Sequence, residues 1–182
     1  METLKCIESR RSIRKFEARP VEDDTIREIV KAAQLAPSWK NVQATRYTVL
    51  SDDNKKAVED MLMNQGSLGQ WNANIVKGCP RLLAISSVKK QSGHKKDGTP
   101  DSIYGESYSF FDSGLAVENF CLAANDKGLG TIIMGFFDYA GVSQLIELPE
   151  NEEIIVLLGV GYPDEAPNAR PRKATEEVLR FK

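Results

Sequence analysis

Residues 7–16, IESRRSIRKF, gather Arg10, Arg11, Arg14 and Lys15 into six positions. If residues 10–15 run as extended chain, the period of two puts Arg10, Ser12 and Arg14 on one side. Arg11, Ile13 and Lys15 then face the other way. Two guanidinium groups with a hydroxyl between them form an anion receptor. Arginine offers planar, paired donors that match phosphate oxygens, and serine adds a donor with little bulk. The stretch also reads as a solvated basic face balanced by Glu8, Glu17 and Glu22. A second basic group, Arg170, Arg172 and Lys173, stands in a Pro-rich, charged tail that cannot form a core. Folded back, that tail would close over the same anion.

Any phosphate must be held by side chains. The sequence has neither GxGxxG after a strand nor GxxxxGK[ST], and Gly128 and Gly130 in KGLGT follow a helical pattern instead of opening one. No acid–base team stands out, so no catalytic side chain is assigned. His94 is the only histidine and falls in the loop-like stretch 89–103, where it is expected to be exposed and uninvolved. Cys6, Cys79 and Cys121 lack zinc-site spacing and a histidine nearby in sequence, so no metal site is expected and burial is their expected state. Three unpaired thiols fit a reducing, cytoplasmic setting. A net charge of −2 argues against bulk attraction to nucleic acid. The N-terminus lacks the apolar core of a secretion signal, and the apolar run IIVLLGVGY is too short to span a bilayer.

These residues need a scaffold. A length of 182 residues suits one domain, 1–182, with 163–182 as an extended C-terminal arm. Residues 2–9 suit a short helix. In 22–38, Ile26, Ile29, Val30 and Ala33 recur at helical spacing behind an acidic start, with Pro37 as the stop. Residues 44–50 suit a strand, 51–63 an amphipathic helix capped by a Ser or Asp, and 81–88 another strand. Residues 89–103 are expected to form a mobile surface excursion. Next comes a central, mostly buried helix over 108–130, with Phe110, Leu115, Val117, Phe120, Cys121 and Ala124 as its apolar members and Gly128 at its end. A strand at 131–135, a helix capped by Asp138 and the most apolar strand, 152–162, complete the pattern. This order gives mixed α/β content, with one sheet covered by helices.

Four segments in order, SRRSIRKF, AAQLAPSWKNVQATRYTVL, GLAVENFCLAANDKGLGTIIMGFFD and EEIIVLLGVGYPDEAPNARPRK, resemble the nitroreductase family of FMN-dependent oxidoreductases. The resemblance implies an α+β fold, with a central, mostly antiparallel sheet flanked by helices and the C-terminal tail exchanged in a homodimer. It implies that FMN lies at the subunit interface. The cluster Arg10, Arg11, Ser12 and Arg14 would cradle it. Arg10 and Ser12 would hold the phosphate and ribityl end, and Arg14 would sit by the pyrimidine edge near N1 and O2. Arg170 and Arg172 would close on the phosphate, and Met134 and Gly135 would offer main-chain N–H groups toward N5 and O4. Pro37, Ser38, Trp39 and Asn41 would reach the flavin from the other subunit, and Asn74 would line the ring.

The implied activity is reduction by NADH or NADPH, followed by transfer to a small aromatic or quinone-like acceptor such as a nitroaromatic. Ene reduction, dehalogenation, flavin destruction, or flavin binding without turnover remain as alternatives. The chain departs from the family where many members have an acid at the position of Met134, and Pro-Trp at Ala44 and Thr45. Tyr104, Tyr108, Phe110 and Phe111 would wall a substrate pocket, or else divide between core phenylalanines and surface tyrosines.

Overall fold

The computed structural model describes residues 2–182. Four strands make one sheet: β1 (Thr45–Val49), β2 (Arg81–Val88), β3 (Gly130–Met134) and β4 (Glu152–Gly161). Their spatial order is β1-β2-β4-β3 and every neighbouring pair is antiparallel. The two most apolar strands, β2 and β4, take the centre, where both faces are covered. Leu82, Ala84 and Leu157 point into one core, and Leu83, Ile85 and Leu158 into the other. This is why both strands read as unbroken apolar runs and lack alternation.

The second core is closed by α2 (Asp23–Ala33) and α5 (Ser107–Asp126), which contribute Ile26, Ile29, Val117 and Phe120. The first is closed by α3 (Asp52–Met63), α4 (Gly66–Gly78) and α6 (Tyr139–Leu145), through Val58, Leu62, Ala73, Val76 and Val142. Ser51 caps α3 by accepting from the Asn54 N–H, and Asp138 caps α6 by accepting from the Gly141 N–H. Two short helices, α1 (Thr3–Ser9) and α7 (Thr175–Val178), lie at the ends of the chain. Sequence periodicity had not assigned α4. Its glycines dilute the pattern, and one of them has a packing reason: a Cβ on Gly69 would lie 2.3 Å from the Leu62 carbonyl of α3.

Three expectations change. His94 is buried, not exposed, at 6% relative accessibility, with Nδ1 at 2.8 Å from the Ser92 carbonyl. The stretch around it is a hydrogen-bonded turn, because Asp101 N–H donates to Gly93 O at 2.8 Å and Lys95 N–H to Thr99 O at 2.9 Å. Helix α5 buries one stripe, Ser109, Asp112, Ser113, Ala116, Val117, Phe120, Cys121 and Ala124, while Phe110 and Phe111 stand out at 54% and 60% exposure. Its first half therefore buries polar side chains and turns aromatics outward, and Phe110 is not core.

The cysteines follow expectation. All three are free and buried, and burial pushes the Cys79 and Cys121 thiols up to about 11. Among the described residues no helix is long and apolar enough to cross a membrane.

Candidate functional site

Helix α1 ends as Arg10 turns extended, at φ −58° and ψ 131°. The chain then runs along the outer edge of β3. Ile13 N–H donates to Thr131 O at 2.9 Å, and Ser12 pairs with Thr131 in parallel. Ile13 is buried against Gly130, where a Cβ would come within 2.4 Å of its Cγ1. Glycine at 130 thus lets the basic segment approach the sheet closely.

The tail begins on the same segment. Glu17 N–H donates to Tyr162 O at 2.9 Å and Asp164 N–H to Lys15 O at 3.0 Å. Glu165 accepts from the main-chain N–H groups of Arg14 and Lys15. Residues 168–182 are exposed throughout.

The folded-back tail and the basic segment enclose a cavity of about 320 Å³, lined by Arg10, Arg11, Ser12, Arg14, Arg170 and Arg172. Arg11 belongs to this cavity although strand alternation would turn it away. Its side chain curls back so that Nη1 donates to Glu8 O at 2.6 Å and Arg10 O at 2.9 Å.

Five arginines meet one acid, Glu8, in this lining. Among the described residues, Arg10 alone of the five has an ion-pair partner, Glu118, at 3.2 Å. Arg14 donates to Ser12 O at 3.2 Å and lies over the Trp71 ring, 5.3 Å from its centroid. Arg172 donates to Arg170 O at 3.4 Å. Arg11, Arg14 and Arg172 are held by carbonyl oxygens, so net positive charge faces the cavity, the electrostatics that a phosphate monoester complements.

Met134 closes β3 and Gly135 follows it. The Met134 side chain is buried, and its main chain, in register with Leu157, faces β4, so it is Gly135 that is left to offer main chain to a ligand. Continued one residue past β3, strand alternation would put the Gly135 main chain on the edge used by Thr131. Gly135 O accepts from Tyr139 OH at 2.8 Å, and buried Asn72 holds the turn by donating to Phe136 O at 3.0 Å. Asn74 is exposed on α4, one turn beyond Trp71.

Pro37, Ser38, Trp39 and Asn41 do not line the basic cavity of their own chain; Pro37 and Ser38 border another, of about 200 Å³, beside Asp112 and Tyr47. Burial pushes the Tyr47 phenol up to about 12. The segment is tightly wound: Trp39–Asn41 is a 3-10 turn, and Lys40, Asn41 and Gln43 have φ of 45°, 57° and 50°. Ser38 Oγ accepts from Gln43 N–H at 3.0 Å, and Asp112 Oδ2 accepts from Trp39 N–H at 2.9 Å. Lys40 is paired with Asp101. The Trp39 ring lies 4.5 Å from that of Tyr108, which also meets Tyr104 and Phe111.

Asp112 and Asn72 were not singled out in the sequence. The available signal was an acid directly after the Phe110–Phe111 pair of α5; Asn72 gave none.

A profile of the nitroreductase family matches residues 7–162 of the 182. The chain belongs to the nitroreductase family. It is 27% identical over 182 residues to an NADPH-flavin oxidoreductase of Vibrio harveyi, covering 97% of this chain and 72% of that one. It is 29% identical over 206 residues to an iodotyrosine deiodinase of Nematostella vectensis, covering 100% of this chain and 75% of the relative. A nitroreductase family protein of Streptococcus pneumoniae superposes with a TM-score of 0.84 at 20% identity, with both chains covered completely. That last likeness is one of fold. The sheet and the helices packed on its two faces are thus the frame on which the basic cavity sits.

Proposed function

We infer that this nitroreductase family member is an NAD(P)H-dependent oxidoreductase with FMN as its cofactor. The observation that carries the reading is the meeting of Arg10, Arg11, Ser12 and Arg14 with Arg170 and Arg172 in one cavity. The donor set fits the terminal phosphate of FMN, and the open edge of β3 runs from there toward Gly135.

Bound there, FMN would supply hydride acceptance from NADH or NADPH and onward transfer to a second substrate. The chain's own residues bind and orient. Arg10, Ser12, Arg170 and Arg172 hold the phosphate and ribityl end. Arg14, kept over Trp71, brings a cation to the pyrimidine edge. The main chain of Gly135, just past the end of β3, faces the N5 side, and Asn74 lines the ring. Pro37, Ser38, Trp39 and Asn41 act across the interface of a homodimer.

Exposure of Trp71, Phe110, Phe111, Ile133 and Phe136 on the body, and of Leu179 and Phe181 on the tail, supports a second copy. Nitroaromatics and quinones are the acceptors. Dehalogenation of an iodinated aromatic is the second reading, supported by the similarity to the deiodinase.

The test begins with colour. Purified protein is expected to be yellow and to release FMN on denaturation. Anaerobic mixing with NADH or NADPH should bleach it, and a nitroaromatic or quinone should restore the colour. Iodide release from an iodotyrosine under the same conditions would select the second reading. Protein that binds FMN but is not bleached by either nicotinamide would defeat both.

A further inference from the structure

Asp112 is the one carboxylate on the buried stripe of α5, at 4% relative accessibility. A single oxygen, Oδ2, accepts two hydrogen bonds: the Trp39 N–H at 2.9 Å and the Ser92 hydroxyl at 2.6 Å. The two donors belong to loops 53 positions apart in the chain. One is the wound segment 37–43, with its three left-handed residues. Such backbone persists only where its surroundings over-determine it. The other is the turn at 89–105, which the His94 hydrogen bond to Ser92 O and the Asp101 N–H to Gly93 O bond hold together. One further contact joins the same loops, the Lys40–Asp101 ion pair, and Trp39 also packs on Tyr108 at the start of α5, with ring centroids 4.5 Å apart and planes tilted by 55°.

Burying a carboxylate costs several kcal/mol unless it is well hydrogen-bonded. A space-filling role at this position would not need a carboxylate.

We propose that Asp112 is a positioning residue that locks the Pro37–Asn41 segment to the 89–105 turn, so that the loop offered to the flavin and the wall beside the acceptor are set as one unit. The proposal rests on the flavin reading above. Charge-assisted bonds are roughly twice as strong as neutral ones, so a carboxylate suits a site where two donors must be held against a strained turn. The carboxylate touches neither flavin nor acceptor, and acts through the main chain of Trp39 and the side chain of Ser92.

The test compares an acceptor-bearing side chain with an apolar one of similar size. In a full-length W71F background Trp39 is the sole tryptophan, since the chain has 2. Its emission then reports on the loop with or without flavin. Asp112→Ala and Asp112→Leu should shift that emission to the red and lower kcat/KM for the acceptor about tenfold or more, in line with the effect of small misplacements at a reacting centre. Asp112→Asn, whose carboxamide oxygen can take both bonds, should recover most of each. Ser92→Ala cuts only the link to the 89–105 turn, and should raise KM for the acceptor while kcat holds.

If the leucine variant matches wild type, or does as well as asparagine, the residue only fills space and the proposal is overturned. A shifted emission with unchanged kcat/KM also overturns it, because the loop would then be anchored without serving the site. Should Asp112→Ala fail to fold, the asparagine–leucine comparison decides alone. Wild-type protein that neither binds FMN nor turns over would remove the flavin reading separately, leaving the anchor to be judged on emission.

Discussion

Replacing Arg172 with alanine tests the cavity most directly. Arg172 is exposed, hydrogen-bonds only a carbonyl at 3.4 Å, and has no ion-pair partner among the described residues, so its removal disturbs little else. A hydrogen bond from a cation to a phosphate contributes about 1.5–3 kcal/mol. At ~1.4 kcal/mol per decade, FMN affinity should fall by roughly ten- to hundredfold. The lower end is expected at high salt, because an exposed charge is screened over about 8 Å at physiological ionic strength. Arg10→Ala should cost more. Its partner Glu118, at 3.2 Å, would be left as an uncompensated acid near the anion.

The assay is a fluorescence titration of apoprotein with FMN and, in parallel, with riboflavin. Riboflavin has the same ring but no phosphate. Both variants should lose FMN affinity and keep riboflavin affinity nearly unchanged. Equal losses for the two ligands, or none for either, would refute the assignment of the arginine cavity to a phosphate.

Three further outcomes are expected. Arg14→Gln should lower the flavin potential more than it weakens binding; at about 30 mV for each ~1.4 kcal/mol, an equilibrium redox titration will see it, and a fixed potential removes Arg14 from the pyrimidine edge. Truncation after Gly161 deletes Arg170 and Arg172 with the arm and should cost both flavin and dimer, whereas full-length protein that sediments as a monomer with stoichiometric FMN would sink the shared site. Cys79 and Cys121 are raised by burial from 9.0 to about 11. The neutral thiol is thus favoured in the folded state, and the unfolded chain releases its protons first as pH rises. Their contribution to stability is complete below pH 9 and lost between 9 and 11. Melting temperature should fall across that window, and replacing Cys121 with serine should flatten part of the slope.

Much of the scaffold was legible because its signals are local. The Ser51 and Asp138 caps, the stop before Pro37 and the apolar runs of β2 and β4 each declare themselves within a few residues. Helix α4 did not, since Gly66, Gly69 and Gly78 interrupt its pattern and the need for Gly69 lies in α3. The polarity of the first half of α5 was misread for the same kind of reason. Asp112 is buried under donors from two loops, Ser109 donates to Glu153 on β4 and Ser113 pairs with Thr45 on β1, and no periodicity encodes such partners. His94 lies in a polar stretch that reads as loose, yet a turn closed by main-chain bonds between Gly93 and Asp101 and between Lys95 and Thr99 surrounds it, and no apolar pattern announces such a turn. The Arg10–Arg14 cluster was visible, but the inclusion of Arg11 depends on a side chain doubling back to Glu8 O.

The edge of β3 has one more consequence. The basic segment is pinned at Thr131, and on the proposed flavin reading the main chain offered to the ring lies at Gly135, four residues on. At about 3.3 Å per residue that is a fixed span of about 13 Å along one strand. On that reading the strand would work as a ruler, grading ligands by the distance between their anionic end and their reactive ring. Inserting one residue between Thr131 and Gly135 would lengthen it by about 3.3 Å and turn Gly135 to the opposite edge. Cofactor length and cofactor orientation would then be read off the same five residues, Thr131 to Gly135.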